Sequence, residues 1–182
     1  MGEGQRMNDT FDFIDSMLGK PDDKFDWSTQ LKVGERGEAD FARLYERDYA
    51  PRKGESLAYD FRLKTGETVE LKTDEYSMKE TPNFFMEELS DVKTGKLGGP
   101  FRAFKDGVTY FVYYFIQDRM FFWFNVTELH AHIQHLMNAK RFNPKFIKNR
   151  GWESKGYAMP RDLFNPVLIH QDQFPLDALR KE

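Results

Sequence analysis

The chain has 182 residues and a net charge of −3, with 40% hydrophobic residues, which is the size of one domain with enough apolar material for a core. Its 18 Phe, 8 Tyr and 3 Trp argue against general disorder, because disordered chains are poor in aromatics. It has no cysteine, which excludes disulfides, thiolate zinc sites and cysteine nucleophiles.

Taken in chain order, residues 1–30 show weak periodicity, clustered acids and a Gly19-Lys20-Pro21-Asp22 breaker. They read as a loosely packed arm with one short helix at 11–18. Their opening lacks a basic region followed by an apolar run, so no secretory signal is expected, and no stretch approaches the roughly 18 apolar residues of a membrane span. Residues 31–182 read as a single α/β domain. Phe41, Leu44 and Tyr45 with Ala39 and Ala42 give a helix over 33–48, ended by Pro51-Arg-Lys-Gly54. Alternating runs at 59–63 and 67–72 predict a hairpin, and 83–89 a further Phe-rich strand. The glycines of 93–100 predict a loop. The nearly all-apolar run 108–116 reads as a strand buried on both faces, followed by a strand at 120–126. Thr127 is the expected N-cap of a helix over 128–140 with the stripe Leu129, Ile133, Leu136, Met137. Beyond it the chain reads as basic and loop-rich. The fold class is therefore α/β, one mixed central sheet flanked by helices.

The informative segment is Asp60-Phe-Arg-Leu-Lys-Thr-Gly-Glu-Thr-Val-Glu70-Leu-Lys72. A three-residue loop Lys64-Thr65-Gly66 makes Leu63 face Glu67 and sets Asp60 opposite Glu70. Tyr59, Phe61, Leu63, Val69 and Leu71 then share one face, and Asp60, Arg62, Thr68, Glu70 and Lys72 the other. Carboxylates so paired repel each other. A divalent cation would remove the repulsion, and two carboxylates plus the Leu71 carbonyl form a hard oxygen site suited to magnesium. Water made acidic by such a metal attacks phosphodiesters, with Lys72 placed to orient it or to stabilise charge on the phosphate. The same residues also fit an ordinary hairpin with a solvated charged face and an Arg62–Glu70 or Lys72–Asp60 pair.

Asp60 and Glu70-Leu71-Lys72, after a helix containing Gly34-Glu35-Arg36-Gly37-Glu38, resemble the PD-(D/E)xK nuclease superfamily. The runs Thr81-Pro-Asn83-Phe-Phe-Met-Glu87, Gly98-Gly99-Pro100 and Tyr110-Phe-Val-Tyr-Tyr are similar to a phage-associated subgroup of junction-resolving or genome-processing nucleases. The resemblance covers roughly residues 33–136, and Tyr59 stands where the motif name has proline. It implies a restriction-endonuclease-like core and cleavage of DNA with Mg²⁺, for which Mn²⁺ substitutes. Asp60 and Glu70 would be metal ligands, Lys72 the catalytic lysine and Glu38 the helical acid, with Glu35 its rival. The implied compartment is the cytoplasm, the host's if the chain is phage-encoded.

The remaining candidates are peripheral. Glu87 alternates with Asn83 and Phe85, and is either a further metal-shell carboxylate or an edge-strand charge; Glu88 faces the other way. His130, His132 and His135 share a helix and read as exposed rather than as ligands. From Lys96 to Arg161 there are 11 Lys or Arg against 4 Asp or Glu, whereas residues 1–95 carry 14 against 22. Arg102, Lys105, Lys148 and Arg150 are the candidate DNA-backbone contacts, with Lys140, Arg141, Lys145 and Arg161 in the same group. Alternation puts half of the run Phe121-Phe122-Trp123-Phe124 outward, where it would suit a homodimer contact. Two other readings stay open: an idle relative that only binds nucleic acid, and an α/β interaction protein without a nucleic-acid role.

Overall fold

The computed structural model describes residues 27–45, 49–50, 58–140, 142–149 and 151–175, with backbone alone at 27–30 and 49–50. The expected helix at 11–18, the breaker at 51–54, Arg141 and Arg150 lie outside these residues. Helix α1 (Trp27–Leu44) is followed by strands β1 (Tyr49–Ala50), β2 (Phe61–Leu63), β3 (Thr68–Asp74), β4 (Asn83–Asp91) and β5 (Lys96–Leu97). Helix α2 (Gly99–Lys105), β6 (Tyr110–Phe115), β7 (Met120–Asn125) and α3 (Val126–Asn138) come next. Strands β8 (Lys145–Asn149) and β9 (Trp152–Pro160), a 3₁₀ turn at Arg161–Val167 and β10 (Leu168–Gln173) complete the described chain. A six-stranded sheet runs β1-β2-β3-β6-β7-β10 and a four-stranded sheet β5-β4-β9-β8. The first is mixed, because β3 and β6 are parallel while its other pairings are antiparallel.

The parallel β3–β6 pair needs a crossover, and the chain builds β4, β5 and α2 into it. Alternation then divides the apolar side chains between two cores. Val112, Tyr114, Phe121 and Trp123 pack with Phe61 and Val69 beneath Phe41 of α1. Phe111, Tyr113, Phe115, Phe122 and Phe124 face the other way, onto Phe84, Met86, Phe101, Leu129 and Tyr157. Strand β6 is thus buried on both faces, as its composition predicts. Helix α1 approaches β3 closely at Gly37, where a Cβ would stand 1.9 Å from Thr73 Oγ1.

Four sequence expectations need correcting. Residues 93–100 are not all loop: Ser90 Oγ donates to the Lys96 and Leu97 carbonyls, closing a β4–β5 hairpin, and α2 starts behind Gly98 with Pro100 in its first turn. The segment after α3 is not loop-rich, because β8 and β9 pair with each other and β9 with β4. Its alternation is masked by Gly156 and by polar residues on the half-exposed face. The cap of α3 is Asn125, whose side chain accepts from the Thr127 and Glu128 N–H groups at 3.0 and 3.2 Å. Finally, no half of Phe121–Phe124 faces outward: all four are buried because both sheet faces are covered, which removes the argument for a homodimer contact there. No helix among the described residues is long and apolar enough to cross a membrane.

Candidate active site

The hairpin has the predicted register between Phe61 and Val69. Phe61 faces Val69 and Arg62 faces Thr68, but before Phe61 the ladder breaks: the Asp60 N–H donates to the Val69 carbonyl at 2.9 Å, as in a bulge, and Tyr59, expected on the face of Phe61, packs in the opposite core. The Asp60 charge nevertheless bears on Glu70. The turn closes through Leu63 N–H to Glu67 carbonyl at 2.8 Å, with Gly66 at φ 107°, a region glycine enters without a Cβ penalty. Strand β2 begins only at Phe61, so β3 from Leu71 onward presents an open edge among the described residues. The main chain of Leu71, two residues beyond Val69, faces that edge. Its N–H donates to Asp60 Oδ2 at 2.7 Å, and its carbonyl is directed the same way.

Glu70 is not on a solvated face. It is 8% exposed and forms an ion pair with Arg102 of α2, while its second oxygen is buried without a hydrogen-bond partner. Burial, then the charge of Asp60, push its carboxyl up to about 8 against the opposing pull of Arg102. Arg62, the expected surface partner, is exposed, with its guanidinium 5.6 Å from the Tyr59 ring centre. The ordinary-hairpin reading therefore fails at Glu70.

Beyond Glu70 the open edge of β3 forms one wall of a cleft of about 660 Å³. Leu31, Gly34, Glu35 and Glu38, at helical spacing, form the α1 wall; Leu71, Lys72, Thr73 and Asp74 come from β3. Asn83, Phe85 and Glu87 of β4, with Ile147, Asn149, Trp152, Ser154 and Ala158 of the small sheet, complete it. Burial raises the Glu87 carboxyl, opposed by the charges of Lys72 and Arg102 and by a Ser154 hydrogen bond, so Glu87 faces the same space as Lys72. Glu88 turns away to Lys155 at 2.6 Å and the Tyr157 hydroxyl at 3.3 Å. Both Glu35 and Glu38 are exposed on the cleft wall, so position does not choose between them.

The cleft is acidic: Glu35, Glu38, Asp74, Glu75, Glu80 and Glu87 line it against one lysine, Lys72. Such a space draws cations and repels a phosphate backbone that arrives without them. Among the described residues no group of three or more His, Asp or Glu is arranged to hold a metal ion. The structure brings together Asp60, Glu70 and Leu71 at the edge, and Glu38, Lys72 and Glu87 in the cleft. Arg102 turns inward to Glu70 rather than outward. Lys105 is exposed at the end of α2, and Lys148 is exposed on the face of β8 opposite Ile147 and Asn149.

Of the three helical histidines expected to be exposed only His135 is; His130 and His132 are half-buried against neighbouring elements. His130 stacks on Phe104 with ring centres 4.0 Å apart, and the His132 ring nitrogen meets the Leu163 carbonyl at 2.7 Å. Arg161 donates to the carbonyls of Pro82 and Met78 at 3.2 and 3.0 Å. Sequence reasoning missed Asp74, which accepts from the Tyr113 hydroxyl at 2.6 Å on the cleft wall. Its signal was available, since it continues the Glu70, Lys72 alternation by one step. Ser154 and the rest of the small sheet's wall carried no local signal, because that wall depends on pairing across some 70 residues of chain. No protein-family model matches the chain, and no match to it was found among curated proteins or solved structures.

Proposed function

We propose that the chain is a metal-dependent deoxyribonuclease of the PD-(D/E)xK, restriction-endonuclease-like kind, hydrolysing phosphodiester bonds of DNA with magnesium or manganese. The observation that carries this reading is the nearness of Asp60 to Glu70 beside the open edge of β3, where Asp60 accepts from the Leu71 N–H and its charge bears on Glu70. The mixed sheet, with α1 on one face and α2 and α3 on the other, supports it. The residues suit a hard dication on two counts. Their donors are all oxygen, and Glu70 keeps a buried oxygen without a partner beside a second carboxylate. Asp60, Glu70 and the Leu71 carbonyl would hold the ion, with Glu38 and Glu87 as acids of the adjoining cleft. Such an ion supplies Lewis acidity, which strengthens water as an acid and neutralises phosphate charge.

The chain's own groups do the remainder. As the water oxygen bonds to phosphorus and the bond to the leaving oxygen breaks, the Lys72 ammonium stabilises the added negative charge. Glu87 lines the same cleft as that ammonium, and Arg102 holds Glu70 in place. In a plasmid-nicking assay with Mg²⁺, wild type should cut, and Asp60→Asn and Lys72→Ala should each lose roughly a hundredfold or more while keeping the wild-type circular dichroism spectrum. Wild type that binds DNA and never nicks it with Mg²⁺ or Mn²⁺ sinks the enzyme reading. That result would favour the idle relative, for which the Arg102–Glu70 pair is the supporting observation, since it sets a fixed cation where a metal would act.

A further inference from the structure

The cleft contains one feature that the cleavage chemistry does not use. Gly156 of β9 has no side chain, and the Phe85 ring occupies the room: a Cβ there would meet Phe85 Cζ at 2.6 Å and Cε1 at 2.8 Å. Because the far end of the ring reaches this glycine, Phe85 lies down across the small sheet instead of standing on it. It is half-buried and lines the cleft, as do the amides of Asn83 on its own strand and Asn149 on β8. Glu87, two residues along the same strand face and directly across from Gly156, lines the same cleft as Lys72, so the ring leans toward the charged centre. A flat aromatic ring, flanking amides and an ammonium in one cleft match the base and the phosphate of one nucleotide.

We propose that Phe85, reclining on Gly156, is a stacking platform for an unpaired base, so that the site acts on single-stranded or locally opened DNA rather than on intact duplex. The inference rests on the nuclease reading for its choice of DNA. The concave shape argues for the unpaired form. A cleft of about 660 Å³ bounded by α1, β3 and the small sheet has the volume of a small-molecule pocket, and a base can enter it only when it leaves its stack. The carboxylates suit the polar edge of a base, whose N–H groups donate, better than its phosphates, which enter with a dication.

The test is binding of a fluorescent oligothymidylate by the full chain in Ca²⁺, with the same strand annealed to its complement as comparison. Wild type should bind the single strand the more tightly. Phe85→Leu should weaken that binding about tenfold, Phe85→Trp should retain it, and Gly156→Ala, which lifts the ring, should weaken it. Equal affinity for strand and duplex, or Phe85→Leu binding like wild type with an unchanged circular dichroism spectrum, overturns the proposal. Single-strand binding that depends on Phe85 without nicking in Mg²⁺ leaves this inference standing and removes the nuclease reading. Nicking that is indifferent to Phe85 does the reverse.

Discussion

Glu70 ties stability to acidity. Its carboxyl, pushed up to about 8 from an ordinary 4.5, keeps a proton in the folded chain that the unfolded chain has released. Between those two values the folded state binds more protons, so stability falls as pH rises from about 4.5 to about 8, and this group has no effect below that window. Thermal denaturation in metal-free buffer should show that decline, and Glu70→Gln should flatten it. Mg²⁺ should raise the wild-type midpoint most at the alkaline end, where Glu70 is most readily ionised. At this scale the sequence was legible in part. The pairing of Phe61 with Val69 followed from one turn, because Gly66 and the apolar alternation admit a single register; the break at Asp60 and the turning of Tyr59 into the opposite core did not follow. The burial of Glu70 did not follow, since it depends on Arg102, 32 residues away on a helix the glycines had disguised as loop.

Elements are held by contacts that make two further expectations. Helix α1 touches β3 at Gly37, against Thr73. Gly37→Ala should therefore push the helix off the strand and destabilise by about 1–3 kcal/mol, although helix propensity alone favours alanine; Thr73→Ala in the same chain should restore part of the loss. Denaturant titration measures both. Because α1 carries Glu35 and Glu38, the same substitution should disturb the cleft as well as the fold. At α3 the cap is Asn125, so Asn125→Ala should cost about 1 kcal/mol and Thr127→Ala much less. The sequence pattern placed both helices from their apolar stripes. It misjudged their ends, as α1 begins at Trp27 rather than near residue 33, because end positions depend on single side-chain contacts that periodicity does not encode.

The molecule has two aromatic cores, one of them shared by the two sheets, and the second sheet is where reading by pattern stopped. Strands β8 and β9 sit far from β4 in the chain, and only tertiary pairing makes them strands. The aromatic run at 121–124 belongs to the interior: Trp123 donates from Nε1 to the Tyr45 hydroxyl at 3.0 Å, with the two rings edge to face. Trp123→Ala should cost about 3–5 kcal/mol in unfolding and leave the mass found by light scattering unchanged; a change in oligomer size would instead return that run to an interface.

The shortness of β2 has a consequence for how this fold balances its own demands. Had the chain continued the ladder one step before Phe61, main-chain bonds would have closed over Leu71 and added stability. Instead the carboxylate of Asp60 takes the Leu71 amide, standing in at that position for a strand partner. Selection for a tighter sheet and selection for reactivity therefore pull on the same peptide group. A variant evolved for heat resistance alone should drift toward sealing that edge.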